Sequence, residues 1–296
     1  MPPAVFRSGW ALGSGNGRGG SLLEEAMTPA RLNAAWRRLR NEHTPWSEKV
    51  TRDELQWNFV EHLLALREEV LGGSYRPAPL RHFPMRKPDG RQRILTAQYL
   101  KDKLAQRALL SVLEGRAEKV FHEDSYAYRP GRGTQQALRK ARERIRCGLD
   151  WLVDADIKQF FDSIPHGPLL KMLRRFVRDR DAMRLIEMWL RQGAHSSSLL
   201  GARRGIAQGA ILSPLMCNLY LTRFDDCLAR MNIPFVRFAD DFLLFCPTRE
   251  KAQAALRSAR QSLEKLDLEL HPDKTRIIRS GPQVVFLGEK LPNPSR

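Results

Sequence analysis

Apolar positions recur at helical spacing over several stretches of the chain and cluster in short runs over others. Thr28-Pro29 precedes Leu32, Ala35, Trp36 and Leu39, an N-cap and first-turn pair that opens a helix. Thr51-Arg52-Asp53-Glu54 reads as a capping box, so one helix is expected through Trp57, Val60, Leu64 and Leu71, stopped by Gly72-Gly73. The same period returns over roughly 99–118, from Thr134 to Ile145, over about 167–192, from Ser213-Pro214 to about Ala229, and over roughly 249–266.

Strand signals lie between these helices. Two short apolar arms from Phe83 to Leu95 flank Pro88-Asp89-Gly90 and predict a hairpin. Trp151 to Ile157 reads as a buried strand interrupted by Asp154 and Asp156, and Phe235 to Phe245 as a hydrophobic hairpin with Asp240 and Asp241 at its turn. A short strand at Leu268–Leu270 and a last strand pair near 275–287 complete the pattern. Helices and strands mixed without strict alternation point to the α+β class. Residues 1 to about 22 are rich in Gly and Ser and read as a flexible arm.

Charge narrows the partners. The 296 residues carry 50 Lys and Arg against 33 acids, a net charge of +17, and the excess is spread over both halves. A basic folded surface calls for nucleic acid or an anionic membrane. With 42% hydrophobic residues the chain is not wholly disordered. No apolar run approaches the roughly 18 residues of a membrane span, and the N-terminus lacks the apolar stretch of a signal peptide. Cys147, Cys217, Cys227 and Cys246 show no C-x-x-C spacing, which argues against a zinc site and for a reducing compartment. The expectation is a soluble cytoplasmic protein with no membrane partner.

Adjacent acids at the tip of an apolar hairpin repel one another and resist desolvation, and a cation resolves that conflict. Asp156, at the end of a second apolar strand, adds a third hard oxygen donor of the kind Mg²⁺ prefers. Two such ions about 3.5–4 Å apart stabilise the attacking and leaving oxygens of phosphoryl transfer. Asp225-Asp226, a second acidic pair, reads instead as a solvated helix surface. Asp154 alternates onto the face of Asp156 and reads as a salt-bridging neighbour of the site.

The surrounding segments resemble a reverse transcriptase of the group II intron-like lineage, which includes intron-encoded maturases and CRISPR-associated enzymes. The resemblance runs in family order over roughly residues 75 to 288. Lys87-Pro88-Asp89-Gly90-Arg91-Gln92-Arg93 is similar to the fingers hairpin that closes on a triphosphate. Ser125-Tyr126-Ala127-Tyr128-Arg129-Pro130-Gly131-Arg132-Gly133 resembles the lineage's Gly-Phe-Arg-Pro-Gly-Arg-Ser block. Asp156-Ile157-Lys158-Gln159-Phe160-Phe161-Asp162 matches the first palm motif, and Gln208-Gly209 with Ser213-Pro214 matches Pro-Gln-Gly…Ser-Pro. Phe238-Ala239-Asp240-Asp241 stands where the family has Tyr-Ala-Asp-Asp, while Pro272-Asp273-Lys274-Thr275 and Phe286-Leu287-Gly288 resemble the last two palm motifs.

The resemblance implies a right-hand polymerase of fingers and a ferredoxin-like palm with an antiparallel sheet. Its segments are an arm at 1–22, fingers with a helical region at 23–150, a palm at 151–288 and a tail at 289–296. It implies an RNA-directed DNA polymerase with Asp156, Asp240 and Asp241 as catalytic metal ligands, beside the Ile157 carbonyl. Two Mg²⁺ ions, with Mn²⁺ as a substitute, are the implied cofactors. Lys274 becomes the proton donor to pyrophosphate. Lys87, Arg93, Phe161 and Gln208 become dNTP contacts, Phe161 as the ring that excludes a 2′-hydroxyl. Arg129, Arg132, Gly209, Phe286, Leu287 and Gly288 become template and primer contacts.

The implied partners are an RNA template, a DNA or RNA primer and dNTPs. Only eight residues follow Gly288, too few for the family's helical thumb. A CRISPR spacer integrase, or another protein supplying thumb-like contacts, is therefore a further expected partner. Two rival readings are an RNA-binding or splicing cofactor that keeps the fold without catalysis, and an RNA-dependent RNA polymerase. Three costly carboxylates argue against the first, and Phe161 against the second.

Overall fold

The structure, a computed structural model, describes residues 20–86, 92–193 and 203–294, the side chains of residue 82 and of 92–95 excepted. In chain order the elements are α1 (Leu22–Ala26), α2 (Pro29–Leu39), α3 (Arg52–Trp57), α4 (Phe59–Leu71), β1 (Arg81–Arg86), β2 (Gln92–Ala97), α5 (Leu100–Ala117), α6 (Thr134–Arg146) and β3 (Trp151–Asp156). They continue with α7 (Phe160–Ser163), α8 (His166–Val177), α9 (Arg180–Gln192), α10 (Ser213–Arg230), β4 (Phe235–Phe238), β5 (Asp241–Cys246) and α11 (Arg249–Glu264). A 3-10 turn (Pro272–Lys274) precedes β6 (Arg276–Arg279), β7 (Val285–Phe286) and β8 (Glu289–Lys290). This is the α+β class, with antiparallel sheets, expected from the sequence.

Local signals placed most element starts. The Thr51–Glu54 capping box is formed, and Thr28 caps α2 with Pro29 in its first turn. The single helix expected from 51 to 71 is two, broken at Asn58. The break sets Phe59 against Trp36, ring centroids 4.3 Å apart. As a result Leu55, Leu66 and Val70 form the buried side, and Trp57, Val60 and Leu64 are exposed. Helix α1 begins at Leu22 on a Ser21–Glu24 capping box, inside the end of the expected arm. The 167–192 stretch is also two helices, parted where Arg178 takes φ +53° and Asp179 caps α9.

The chain forms two compact units that interleave in sequence, so they are not the contiguous 23–150 and 151–288 blocks expected. One contains the described residues through Val120 together with Leu169–Leu215, and the other Phe121–Pro168 with Met216 onward. The first unit is helical apart from the antiparallel β1–β2 hairpin, whose register pairs Met85 with Arg93. Inside it Tyr75, Asp102 and Trp189 form a buried polar cluster: the Trp189 indole N–H donates to the Tyr75 hydroxyl, which donates to Asp102.

The second unit is built on a four-stranded antiparallel sheet of order β4-β5-β3-β6. Strand alternation and the pairings Leu152–Phe245, Asp154–Leu243 and Asp156–Asp241 put these six side chains on one face. At one end of that face Leu152, Val236, Leu243 and Phe245 pack against Ala137, Leu138, Ala141 and Ile145 of α6. On the other face Phe242 meets Phe224 of α10 edge-on at 5.1 Å, and α11 lies against β3 and β5. The short strand expected at Leu268–Leu270 is a single bridge between Leu270 and Ile157. The expected last strand pair is not one hairpin: β6 pairs with β3, and β7 with β8. The β6–β3 pairing and the Leu270–Ile157 bridge join segments far apart in sequence, which local patterns do not encode.

Candidate active site

The apolar face runs into acid at its far end. Asp156 is the last residue of β3 and Asp241 the first of β5, and the register sets them directly opposite. Asp240 occupies the two-residue turn between β4 and β5, beside Ala239 at φ +59°. A left-handed alanine costs about 1–2 kcal/mol, so this turn is held by its surroundings. The Ile157 N–H donates to the Asp240 carbonyl at 3.2 Å, which ties the end of β3 to the turn.

Lys274 completes the cluster. The Asp156 carbonyl accepts from the His271 N–H at 2.8 Å and anchors the start of the 3-10 turn. That anchor brings Lys274 Nζ to 2.8 Å from Asp156 Oδ2. Asp154 is paired with Arg276, Oδ2 lying 2.9 Å from Nε, as expected of a salt-bridging neighbour.

Burial, followed by repulsion from Asp154, Asp156 and Asp240, pushes the Asp241 carboxyl up to about 7. Burial also raises Asp240, with repulsion from Asp156 adding to it. The hydrogen bond to Asp156 raises Lys274. A cluster of like charges that resists ionisation is the electrostatic signature of a cation site. Three hard carboxylate donors from adjacent strands fit a divalent ion in chemistry. As they stand, no three acidic, imidazole or thiol side chains among the described residues are grouped to hold one ion, and Asp156 is engaged by Lys274.

The structure brings Asp156, Ile157, Asp240, Asp241 and Lys274 together. Phe161 lies just beyond β3 in α7, half-buried, its ring 5.8 Å from that of buried Phe160. Gln159, at φ +46°, turns the chain between the two elements. Gln208 and Gly209 belong to the other unit. The Gln208 carbonyl accepts from Thr96 Oγ1 at 2.6 Å, and Gly209 takes φ +98°, where an added Cβ would lie 3.1 Å from the Thr96 carbonyl. Its close approach is therefore to β2, the second strand of the hairpin. Lys87, the hairpin tip and the Arg93 side chain lie outside the described residues.

Residues 85–291 match the family described as reverse transcriptase (RNA-dependent DNA polymerase). The chain belongs to the reverse transcriptase family. It is 31% identical over 289 residues to Protein YkfC of Escherichia coli K12, covering 84% of this chain and 76% of YkfC. It is 28% identical over 259 residues to the group II intron-encoded protein LtrA of Lactococcus lactis, covering 87% of this chain and 42% of LtrA. A solved partial Cas6-RT-Cas1–Cas2 complex aligns at 23% identity and TM-score 0.49, over 83% of this chain and 42% of that one. The chain thus spans three quarters of YkfC and less than half of LtrA. The family's enzymes make DNA on RNA and use divalent metal ions.

Within this reverse transcriptase, two expected template or primer contacts are corrected. Arg129 is buried, and its guanidinium donates to the carbonyls of His122 and Ser125, both at 2.6 Å, and lies over the Phe121 ring. It braces its loop from within. Phe286 is buried in the core against α6 and offers no ring to a primer, whereas Leu287 at φ +51° and Gly288 form the turn beside it. Arg132, which donates to the Glu123 carbonyl, remains half-buried at the surface. Among the described residues no helix is long and apolar enough to cross a membrane.

Of the acidic pair read as a solvated surface, Asp226 is exposed as expected and Asp225 is corrected. Asp225 is fully buried and ion-paired with Arg237, which is itself fully buried. The signal was present: an arginine inside Phe235-Val236-Arg237-Phe238 needs a buried acid, and Asp225 was available.

Proposed function

We propose that this chain extends a primer 3′ end with deoxynucleotides on an RNA template. The observation that supports this most is the gathering of Asp156, Asp240 and Asp241 at the open end of one sheet face, with Lys274 beside them. These three carboxylates, with the Ile157 carbonyl, would hold two Mg²⁺ ions, or Mn²⁺ in their place. The ions supply charge neutralisation on the triphosphate and a more acidic 3′-hydroxyl.

In the reaction the 3′ oxygen forms a bond to the α-phosphorus, and the bond from that phosphorus to the pyrophosphate oxygen breaks. The hydroxyl proton leaves to solvent, and pyrophosphate takes one from Lys274, a general acid on a mobile stem. The Phe161 ring occupies the space a ribose 2′-hydroxyl needs and selects deoxynucleotides. Lys87 and Arg93 meet the triphosphate, and Gln208 with Gly209 faces the nascent base pair. Arg132 and the Leu287–Gly288 turn contact the template–primer duplex. Binding of that duplex draws on the net charge of +17 and weakens as salt rises. The intron-encoded relative makes an intron-type RNA the first template to try.

Primer extension on RNA with Mg²⁺ and dNTPs, run beside Asp240→Ala, tests the reading. Extension by the native chain that is lost in the variant supports it. Extension from NTPs in preference to dNTPs points to an RNA polymerase, and duplex binding without extension of either kind points to a non-catalytic binding protein.

A further inference from the structure

Arg237 is the third residue of β4, and alternation places it on the sheet face opposite to Asp156 and Asp241. A guanidinium stays charged in any protein, so its full burial demands acceptors. Four of its five N–H groups have them. Nε and Nη2 donate to the two oxygens of Asp225 at 2.7 and 2.6 Å, a fork-to-carboxylate pair. Nη1 donates to Asn218 Oδ1 and to the Ala239 carbonyl, both at 3.0 Å.

Asn218 and Asp225 stand seven residues apart on α10, two turns along one face, which is why both reach the same guanidinium. Asn218 Nδ2 also donates to the Ala127 carbonyl at 2.8 Å. The backbone of Arg237 is held as well, its N–H by the Asp124 carbonyl and its carbonyl by the Tyr126 N–H, both at 2.9 Å.

A buried ion pair explains stability poorly, because apolar residues of similar volume usually do as well or better. What an apolar pair does not provide is a donor to the Ala239 carbonyl, at the left-handed residue next to Asp240. We infer that Arg237, aligned by Asp225 and Asn218, is a positioning residue that holds the Ala239 turn and thereby the placement of Asp240 and Asp241. The inference deepens the proposed function and rests on it for its catalytic consequence. Its effect on cation binding is measured independently of catalysis.

The test is the double variant Arg237→Met/Asp225→Leu in the full chain, with Asn218→Ala as a second variant that keeps the ion pair. Three quantities are measured on each: the urea midpoint, Mn²⁺ binding by EPR without nucleotide, and single-nucleotide incorporation. The double variant should unfold at or above the native urea midpoint, bind Mn²⁺ about tenfold more weakly and incorporate at least 100-fold more slowly. Native Mn²⁺ binding in a folded double variant overturns the clamp. Should the double variant not fold, Asn218→Ala decides: a three- to tenfold loss of Mn²⁺ affinity at a near-native urea midpoint supports the clamp, and unchanged affinity overturns it. If the native chain binds Mn²⁺ yet incorporates nothing, the polymerase reading fails while the Mn²⁺ comparison still judges the clamp.

Discussion

Asp156 and Asp241 face each other across two neighbouring antiparallel strands, and Lys274 is ion-paired with Asp156. Like charges directly opposite on a sheet are destabilising, so the site is held at the expense of fold stability. Asp241→Asn should raise the thermal midpoint of the metal-free chain while lowering nucleotide incorporation by at least about 100-fold. Differential scanning calorimetry and single-turnover extension measure the two effects. A lowered midpoint contradicts the repulsion, and retained activity contradicts the assignment.

Lys274 approaches Asp156 from an exposed position. Lys274→Met should slow incorporation by about 10²-fold while leaving affinity for the template–primer duplex unchanged. Rapid-quench kinetics beside a filter-binding titration separates the two. An equal loss in binding and rate would make Lys274 an ordinary phosphate contact.

Phe161 stands against Phe160 on a short helix that starts four residues after Asp156. Phe161→Ala should relax dNTP-over-NTP discrimination by roughly 10²-fold, read as the ratio of incorporation efficiencies. Unchanged discrimination removes the ring from sugar selection.

Most element starts were readable because their signals are local: capping boxes, a Pro in the first helical turn, and alternation in short apolar runs. The Asp240-Asp241 turn was readable because two acids interrupt such a run. Arg237 inside an apolar strand calls for a buried acid, but that Asp225 is that acid follows only from the packing of α10 under the sheet. Arg129 misled for the opposite reason. An arginine in a Pro-Gly loop looks like a phosphate contact until the fold turns its guanidinium onto backbone carbonyls. Trp57, Val60 and Leu64 fitted a helical stripe, yet the break at Asn58 rotated them outward. The pairing of β6 with β3 spans more than a hundred residues, and no local pattern specifies it.

Gly209 takes a backbone angle that strains any side chain, and an added Cβ would press on the Thr96 carbonyl at 3.1 Å. Gly209→Ala should destabilise its unit by about 1–2 kcal/mol, measured by urea unfolding. A neutral substitution would show that the Thr96 strand yields.

Burial pushes Asp102 up to about 6, offset in part by the hydrogen bonds from Tyr75 and the Ala78 N–H. A carboxyl raised on folding adds stability at pH values below its unfolded value near 3.8, and that contribution is lost as pH rises through about 6. Asp102→Asn does not titrate, so its stability relative to the native chain should improve by up to about 3 kcal/mol between pH 3.5 and 7. Any constant cost of the substitution cancels in that slope. Urea unfolding of both chains across the range measures it, and a flat difference contradicts the raised carboxyl.

The most direct test of the account is addition of one deoxynucleotide to a primer annealed to RNA, with Mg²⁺, for the native chain and for Asp156→Asn, Asp240→Asn and Asp241→Asn. The account predicts addition by the native chain, its loss in all three variants, and equal affinity of all four for the duplex. Addition that survives any one substitution, or a native chain that binds the duplex and adds nothing, contradicts it.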